Sequence, residues 1–422
     1  MRKYFTKLKL SNDRTIFAKN FIALALVQGL NYLLPLLTLP YLVRVIGIEK
    51  FGILSLATAV LAFFTVITDY GFNFTATREI SIFKSNKNEL IKIYSSVMML
   101  KFILMILSFI LLCLIVFLVP KFSDNTIIYL LSYGIVVGQF LFPVWFFQGM
   151  ERMQFITIVN IFSKTLSTIC IFIFINKPED FFLVPILSSI GSIVGGVFSL
   201  YLIHKNFGIP FVLQSKKELV KHLKDGSNLF FTSFLSTLLT SSGILILGFY
   251  ASNGIVGIYS AIEKLFRAIV GLFAPITQAL YPVSCKQLNN NDKQASAKYI
   301  KKLIVVMLCF TIATAALVIS SAKFIIEKFY GETMFASVYI LQIMMIWLIF
   351  SVMNNVLGIQ YLSAKRRDKY YLKSFLMGGV GTILLNLLLI PQFSIDGILC
   401  AMIVGEIILT MAMIILIKRK GL

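Results

Sequence analysis

The sequence predicts an all-α polytopic membrane protein with twelve transmembrane helices in two six-helix lobes. Of its 422 residues, 58% are hydrophobic and 14% are charged, and the mean hydropathy is +0.89. A soluble domain is typically about 45–50% apolar and about 25% charged. The chain also contains twelve apolar runs of about 20 residues, the length needed to cross a bilayer. Its Lys and Arg residues gather in alternate loops, which orients the predicted spans.

The apolar runs define the predicted spans in chain order. They cover residues 17–43, 51–76, 93–119, 126–149, 154–175, 181–203, 227–250, 254–282, 303–322, 335–362, 370–391 and 394–417. The first run is overlong and contains Pro35 and Pro40, so we expect a kink there. Only residues 391–394 separate the last two runs, and they predict a tight turn.

Positive charge supports this count of spans. The two termini and the loops after even-numbered spans hold 29 Lys and Arg residues, counting Lys19 and Lys373 at the adjacent span ends; the other loops hold six, and four lie deeper within spans. Cytoplasmic loops of membrane proteins carry an excess of Lys and Arg. Both termini are therefore predicted to be cytoplasmic. The net charge of +21 follows from this bias and does not indicate a nucleic-acid partner.

The longest connector divides the chain near its middle. We place a six-helix lobe at residues 1–208, a cytoplasmic connector at 209–226 and a second six-helix lobe at 227–422. In the connector, Leu219, Val220 and Leu223 share one helical face among Lys residues. This pattern predicts an amphipathic helix on the inner membrane surface.

An internal repeat accompanies the six-plus-six count. A shift of 205 residues aligns Gly52–Ala57 with Gly257–Ile262 without a gap. Parallel repeats are typical of transporters, which bind substrate between the two halves. The second half carries Glu263 and Lys264 where the first has uncharged residues. This asymmetry is typical of a site and not of a scaffold.

The eighth span carries three charges in five residues, namely Glu263, Lys264 and Arg267. Each charge near the membrane centre costs roughly 2.5–3.5 kcal/mol on insertion scales. Glu263 and Arg267 are four residues apart and can pair on one helix face, whereas Lys264 has no such partner on its own helix. Lys264 and Arg267 are therefore candidate substrate-binding residues. The alternative is a charge cluster that only holds helices together.

Two more lysines, Lys101 and Lys164, fall at similar depth in the third and fifth spans. Cations so placed would line one wet cavity or have acidic partners. Together with Lys264 they outnumber the midplane acids Glu263 and Glu406, and Asp69 lies nearer the cytoplasmic end of its span. A lumen would therefore be net positive and would suit a phosphate or pyrophosphate. For the lysines the alternative is snorkelling to the inner surface. For the acids we favour charge pairing over a role in carrying protons or sodium.

Arg44 and Arg78 end spans at the outer and inner interfaces and are candidates for a cavity mouth. The alternatives are an interfacial anchor for Arg44 and a local pair with Glu79 for Arg78. No Gly-rich phosphate loop, metal-ligand cluster or acid–base pair is evident in the sequence. We therefore expect no enzyme activity, cofactor or metal site.

Three strings resemble those of a known family. They are Asn31–Leu42 followed by Arg44, Gly47, Phe51 and Gly52; Phe142–Met153; and Tyr259–Ala261 with Glu263 and Lys264. The family is that of the Wzx-type O-antigen flippases, within the multidrug/oligosaccharidyl-lipid/polysaccharide exporter superfamily. The resemblance spans the whole chain, and its most specific string is Phe142–Met153.

The resemblance implies that the chain moves an undecaprenyl-pyrophosphate-linked oligosaccharide across the bacterial inner membrane by alternating access. The cationic lumen of the family maps here onto Lys264 and Arg267, and less directly onto Lys101 and Lys164. The implied partners are the lipid-linked oligosaccharide, membrane lipid and the polysaccharide polymerase machinery. The alternative is a cation-coupled multidrug exporter of the same superfamily. A membrane polymerase is disfavoured because the predicted outer loops are all short.

Overall fold

The structure is a computed structural model that describes Gly29, Leu34 and residues 36–288 and 293–419. All regular secondary structure in these ranges is helical. The predicted kink at Pro35, the basic N-terminus and most of the first predicted span lie outside the described residues.

The described ranges contain eleven helical segments long and apolar enough to cross a membrane, preceded by a shorter apolar helix, Leu36–Ile46. The segments are Ile48–Phe83, Lys87–Leu118, Thr126–Gly149, Met153–Phe174, Pro178–Phe207, Lys216–Tyr250, Asn253–Leu288, Gln294–Tyr330, Glu332–Ser363, Asp368–Phe393 and Ile395–Arg419. They follow the order of the predicted second to twelfth spans, and that part of the prediction is confirmed. We keep the ordinal numbers below, with Leu36–Ile46 as the described part of the first span.

Most helices extend beyond the apolar runs because polar residues cap them or continue them. The third span begins at Lys87 because the Asn86 side chain accepts a hydrogen bond from the backbone N–H of Glu89, at 3.3 Å. The Ser252 hydroxyl accepts one from Ile255 N–H, at 3.4 Å, and starts the eighth span at Asn253. Such caps satisfy N–H groups that a helix leaves without partners.

Within the described ranges, three spans are interrupted. The second divides into Ile48–Asp69 and Phe72–Phe83, with Tyr70 and Gly71 at positive φ. The fourth divides into Thr126–Ser132, Gly134–Leu141 and Val144–Gly149, and Pro143 lies at its last break. The eighth divides into Asn253–Gly271 and Ala274–Leu288, with Pro275 just after the break. Proline removes a backbone donor and clashes with the preceding turn, which accounts for two of these breaks.

The turn between the last two spans is shorter than predicted. The eleventh-span helix continues through Pro391 to Phe393, and the chain reverses at Ser394, where φ is 54°. A proline in the last helical turn removes one backbone hydrogen bond, and the remaining bonds hold that turn in place. The predicted turn over residues 391–394 was therefore wrong in extent.

The Cα packing divides the chain into two compact units. The first consists of Ile53–Leu238 with the residues up to Ile46, and the second of Gly47–Gly52 with the residues from Leu239 onward. In the first unit the core is built around Trp145, Phe146 and Phe147, all fully buried. The most specific string of the family resemblance therefore forms core packing.

The helical part of the connector is continuous with the seventh span, since one helix runs over Lys216–Tyr250. Leu219 and Leu223 pack against the core of the first unit, where we expected a membrane surface. His222 is buried there with Nδ1 3.4 Å from Glu79 Oε2. The helix was correctly predicted; protein covers Leu219 and Leu223 of its apolar face, whereas Val220 is exposed.

In the second unit the repeat produces a reciprocal contact between two helix starts. A Cβ placed on Gly52 would lie 1.9 Å from the Asn253 carbonyl oxygen, and one on Gly257 would lie 2.1 Å from that of Ile48. The repeat pairs Gly52 with Gly257 and Ile48 with Asn253. Equivalent residues thus exchange contacts as they do at a two-fold axis, and only glycine permits so close an approach.

Candidate functional site

The eighth span brings Glu263 and Arg267 together as their spacing predicts. Arg267 donates from Nη2 and Nε to Glu263 Oε1, at 2.6 and 2.9 Å. The Glu263 side chain is 13% exposed and that of Arg267 is 55% exposed. The ion pair therefore neutralises the acid, while the Arg267 side chain stays more than half exposed.

Lys264, the neighbouring cation, has a different environment. Its Nζ lies 4.6 Å from the centroid of the Phe51 ring, at the start of the second span, and the side chain is half-buried. An aromatic face attracts an ammonium by about 0.5–2 kcal/mol and takes up none of its N–H donors in conventional hydrogen bonds. Lys264 makes no hydrogen bond or ion pair within the described ranges. Its three donors therefore remain available to an anionic ligand.

Lys101 forms a buried ion pair in the first unit. Its side chain is 1% exposed, and Nζ lies 2.7 Å from Asp69 Oδ1. Asn73 Nδ2 donates to the other carboxylate oxygen, Oδ2, at 3.2 Å. The third-span lysine is thus held by an acid at the break in the second span. Its role as a substrate-binding residue stays a prediction.

Lys164 lies on the wall of an open cavity of about 270 Å³ in the first unit. Residues of the first, fourth, fifth and sixth spans line this cavity, and many of them carry hydroxyl or amide groups. The fifth- and sixth-span helices approach closely there, as shown by the position of a Cβ built on Gly191, which would lie 1.8 Å from Ser167 Oγ. Serine and glycine at such contacts allow backbones to pack tightly, so the cavity has a rigid wall.

Glu406 lies on the twelfth span, next to the amide of Asn354 on the tenth. Asn354 Nδ2 donates a short hydrogen bond to Glu406 Oε2, and Thr410 donates to Asn354 Oδ1 at 2.7 Å. No Lys or Arg of the described ranges forms an ion pair with Glu406. The partner is therefore an amide where we had favoured a cation. A π-helix, Val356–Ser363, begins two residues after Asn354.

The two cavity-mouth candidates, Arg44 and Arg78, both have exposed side chains. Arg44 lies in the Leu36–Ile46 helix and Arg78 in the Phe72–Phe83 helix. Glu79 pairs with the buried His222 and not with Arg78. The predicted local pair between Arg78 and Glu79 is therefore wrong, because Glu79 contacts His222 on another helix.

The predicted site residues thus fall into separate groups. The first unit contains the Lys101–Asp69 pair, the Lys164 cavity and both cavity-mouth arginines. The second contains the Glu263–Arg267 pair, Lys264 and Glu406. Sequence reasoning missed the partners Phe51, Asn73 and Asn354. An amide in an apolar span was a usable signal for Asn354, whereas nothing distinguished Phe51 from the other phenylalanines.

The fold is one that solved membrane transporters also adopt. The chain superposes on the inward-closed lipid II flippase MurJ with a TM-score of 0.71 at 16% identity, covering 95% of this chain and 87% of that one. It superposes on an inward-facing multidrug resistance MATE family transporter of the MOP superfamily with a TM-score of 0.69 at 12% identity, covering 95% and 98%. At these identities the likeness establishes the fold.

Sequence comparison assigns the chain to a protein family. The model of the polysaccharide biosynthesis protein family matches residues 17–288, and the chain belongs to this family. It is 29% identical to a protein of Escherichia coli (strain K12) named "Putative O-antigen transporter", over 98% of this chain and 99% of that protein. A protein of the same name from Shigella dysenteriae is 26% identical over 95% of this chain and its own whole length.

Proposed function

We propose that the chain is a flippase that carries an undecaprenyl-pyrophosphate-linked oligosaccharide across the bacterial inner membrane by alternating access. The cargo would be the repeat unit of O-antigen or a related surface polysaccharide. The observation that carries this proposal is the end-to-end similarity to the Escherichia coli protein named "Putative O-antigen transporter". The alignment covers almost the whole of both chains, so no large part of either chain lacks a counterpart in the other.

Lys264 and Arg267 supply chemistry that fits a pyrophosphate. The ammonium of Lys264 retains its three N–H donors because its contact is a ring face. Arg267 keeps more than half of its side chain exposed while pairing with Glu263. A cation in an apolar span is costly unless it has a function, and an oxyanion is the ligand that charge-assisted hydrogen bonds favour. The lipid tail would remain in the bilayer.

A multidrug exporter is the second candidate, because MATE transporters share the fold. The intramembrane charges argue against a cationic drug as cargo. Glu263 is paired with Arg267, Asp69 with Lys101, and Glu406 with an amide. Two of these acids are already neutralised by cations, whereas the donors of Lys264 remain available.

Surface-glycan complementation tests the proposal. In a strain that lacks its own O-antigen flippase, the wild-type gene should restore surface glycan. Lys264→Ala should reduce that glycan more than tenfold, since a lost charge-assisted hydrogen bond is worth about 1.5–3 kcal/mol. Lys323→Ala is the matched control, because Lys323 also lies over a ring, that of Phe335 at 4.9 Å, on an exposed part of the ninth span.

Expression level and thermal melting of both variants should equal those of the wild type. Full restoration of surface glycan by Lys264→Ala would remove the role proposed for this lysine. Failure of the wild type in every flippase-null strain, together with gain of drug resistance, would favour the multidrug exporter.

A further inference from the structure

The cavity in the first unit has a lining that the pyrophosphate does not explain. Its volume is about 270 Å³, which is room for several water molecules or one small polar group. It is lined by hydroxyl and amide side chains around a single cation, Lys164. Because the residues all belong to the first unit, the cavity is complete without Lys264 and Arg267.

The hydrogen bonds already made in the wall decide which groups remain available. Ser163 Oγ donates to the Gly191 carbonyl at 2.7 Å, and Ser167 Oγ donates to the Ser163 carbonyl at 3.1 Å. Asn160 Nδ2 donates to the Ile156 carbonyl at 2.9 Å. A hydroxyl has one donor and two acceptor lone pairs. Ser163 and Ser167 therefore present acceptor oxygens to the cavity. The hydroxyls of Thr168, Ser188 and Ser192 also line it and make no hydrogen bond within the described ranges, so they can both donate and accept.

A wall that offers both donors and acceptors suits a sugar better than an oxyanion. A deprotonated phosphate only accepts hydrogen bonds, so it would leave the acceptor oxygens of Ser163 and Ser167 unused. A sugar hydroxyl both donates and accepts. Donors for its oxygen atoms come from the ammonium of Lys164 and from Gln139, whose side chain makes no hydrogen bond within the described ranges and lines the same cavity.

We propose that this cavity is a monosaccharide subsite, which takes one sugar ring of the lipid-linked oligosaccharide and reads its hydroxyl pattern. The inference rests on the proposed flippase function and adds a specificity-determining site to it. It assigns Asn160 and Gln139 to sugar recognition. Lys164 then donates hydrogen bonds to the sugar and not to the pyrophosphate. The sugar can be neutral or carry a carboxylate. The tight packing of the fifth and sixth spans keeps the subsite preformed.

Binding to the full-length protein in lipid nanodiscs tests the subsite. The probes are undecaprenyl pyrophosphate alone and the same carrier loaded with the repeat unit of the host strain. The wild type should bind the loaded carrier more tightly. Asn160→Leu and Gln139→Leu should each lower the ratio of the two affinities about fivefold, the value of one lost hydrogen bond. Binding of the bare carrier should not change.

Asn206→Leu is the matched control, because Asn206 Nδ2 makes the same bond to the carbonyl four residues back, at 2.9 Å, on an exposed helix end. The ratio should keep its wild-type value in this variant. Lys264→Gln should weaken both carriers in equal proportion. An unchanged ratio in Asn160→Leu and Gln139→Leu, or an equal loss of both carriers, would overturn the subsite.

A second probe separates this inference from the proposed function. Methyl glycosides of the common hexoses, followed by saturation-transfer NMR, should contact the wild type and lose contact in Asn160→Leu. If neither lipid binds the wild type while a glycoside does, the flippase proposal fails and the subsite stands. If the lipids bind and no glycoside contacts the protein, the cavity is a water-filled packing gap and the subsite fails.

Discussion

At the residue scale, the charges in the spans are stabilised in three different ways. Lys101 has a carboxylate, Lys264 has a ring face, and Glu406 has an amide. An ion removed from water needs such compensation, and an uncompensated one costs several kcal/mol. Lys264 is the one of the three whose partner occupies none of its hydrogen-bonding capacity, which is why we place substrate there.

The Lys101–Asp69 pair should show an asymmetric response to mutation. Asp69→Asn leaves a fully buried ammonium without its counter-ion and should destabilise the protein by about 3 kcal/mol. Lys101→Met should cost less, because Asp69 is 23% exposed and keeps its bond from Asn73. Thermal melting of the purified protein measures both effects.

The double variant Lys101→Met with Asp69→Asn provides the control. It should be more stable than Asp69→Asn alone, since it removes the buried charge together with its partner. Equal destabilisation by the two single variants would show that Lys101 has another way to compensate its charge.

At the element scale, helix starts and helix packing depend on a few small residues. Gly52 and Gly257 bring the first turns of the second and eighth spans into contact. Both spans open the corresponding part of the repeat, and Lys264 lies on the eighth, two turns further along. A change in this contact should therefore alter the position of the lysine.

Gly257→Ala should destabilise the protein by about 1–3 kcal/mol, the cost typical of overpacking. The new Cβ would lie 2.1 Å from the Ile48 carbonyl oxygen, so backbone must move. Thermal melting and surface-glycan complementation are the measurements. Gly254→Ala is the control on the same helix, because its Cβ would make an ordinary contact of 3.4 Å with Glu49. Equal stability of the two variants would contradict the close crossing.

Docking of the long seventh-span helix should depend on burial and little on surface charge. His222→Ala should cost about 2 kcal/mol, since the imidazole is 4% exposed and its loss leaves a cavity beside Glu79. Lys92→Ala should cost much less, because the Lys92–Glu218 pair is substantially exposed.

Limited proteolysis of the connector and thermal melting compare the two changes. The Lys92→Ala effect should also diminish in high salt, as expected for a screened surface pair. A larger loss of stability for Lys92→Ala than for His222→Ala would show that the surface ion pair holds the helix.

At the scale of the whole molecule, the distribution of Lys and Arg predicts an orientation that packing alone does not define. Both termini should lie in the cytoplasm. A fluorescent protein fused after the last residue should therefore fluoresce in cells, and alkaline phosphatase fused there should be inactive.

A fusion truncated in the loop after the third span, near Lys121, should give the opposite result. This loop is one of those with few positive charges. Activity of phosphatase at the C-terminus would reverse the orientation and place the Lys264 side of the eighth span differently in the membrane.

Sequence alone anticipated much of the element scale. Apolar run length predicted the second to twelfth spans, and the caps Asn86 and Ser252 explain why helices begin before or at the edge of those runs. Features that depend on packing between helices were harder to predict from the sequence. The covered face of residues 216–224 and the continuation of the eleventh span past Pro391 both depend on neighbouring helices.

The sequence by itself determined the membrane class, the order of the spans, the repeat and the Glu263–Arg267 pair. All of these rest on local spacing, which a linear chain displays directly. Only the tertiary structure decided that Phe51 covers Lys264, Asp69 neutralises Lys101 and Asn354 binds Glu406. Those partners lie on other spans, and helix packing, which brings distant residues together, cannot be deduced from the spacing along one helix.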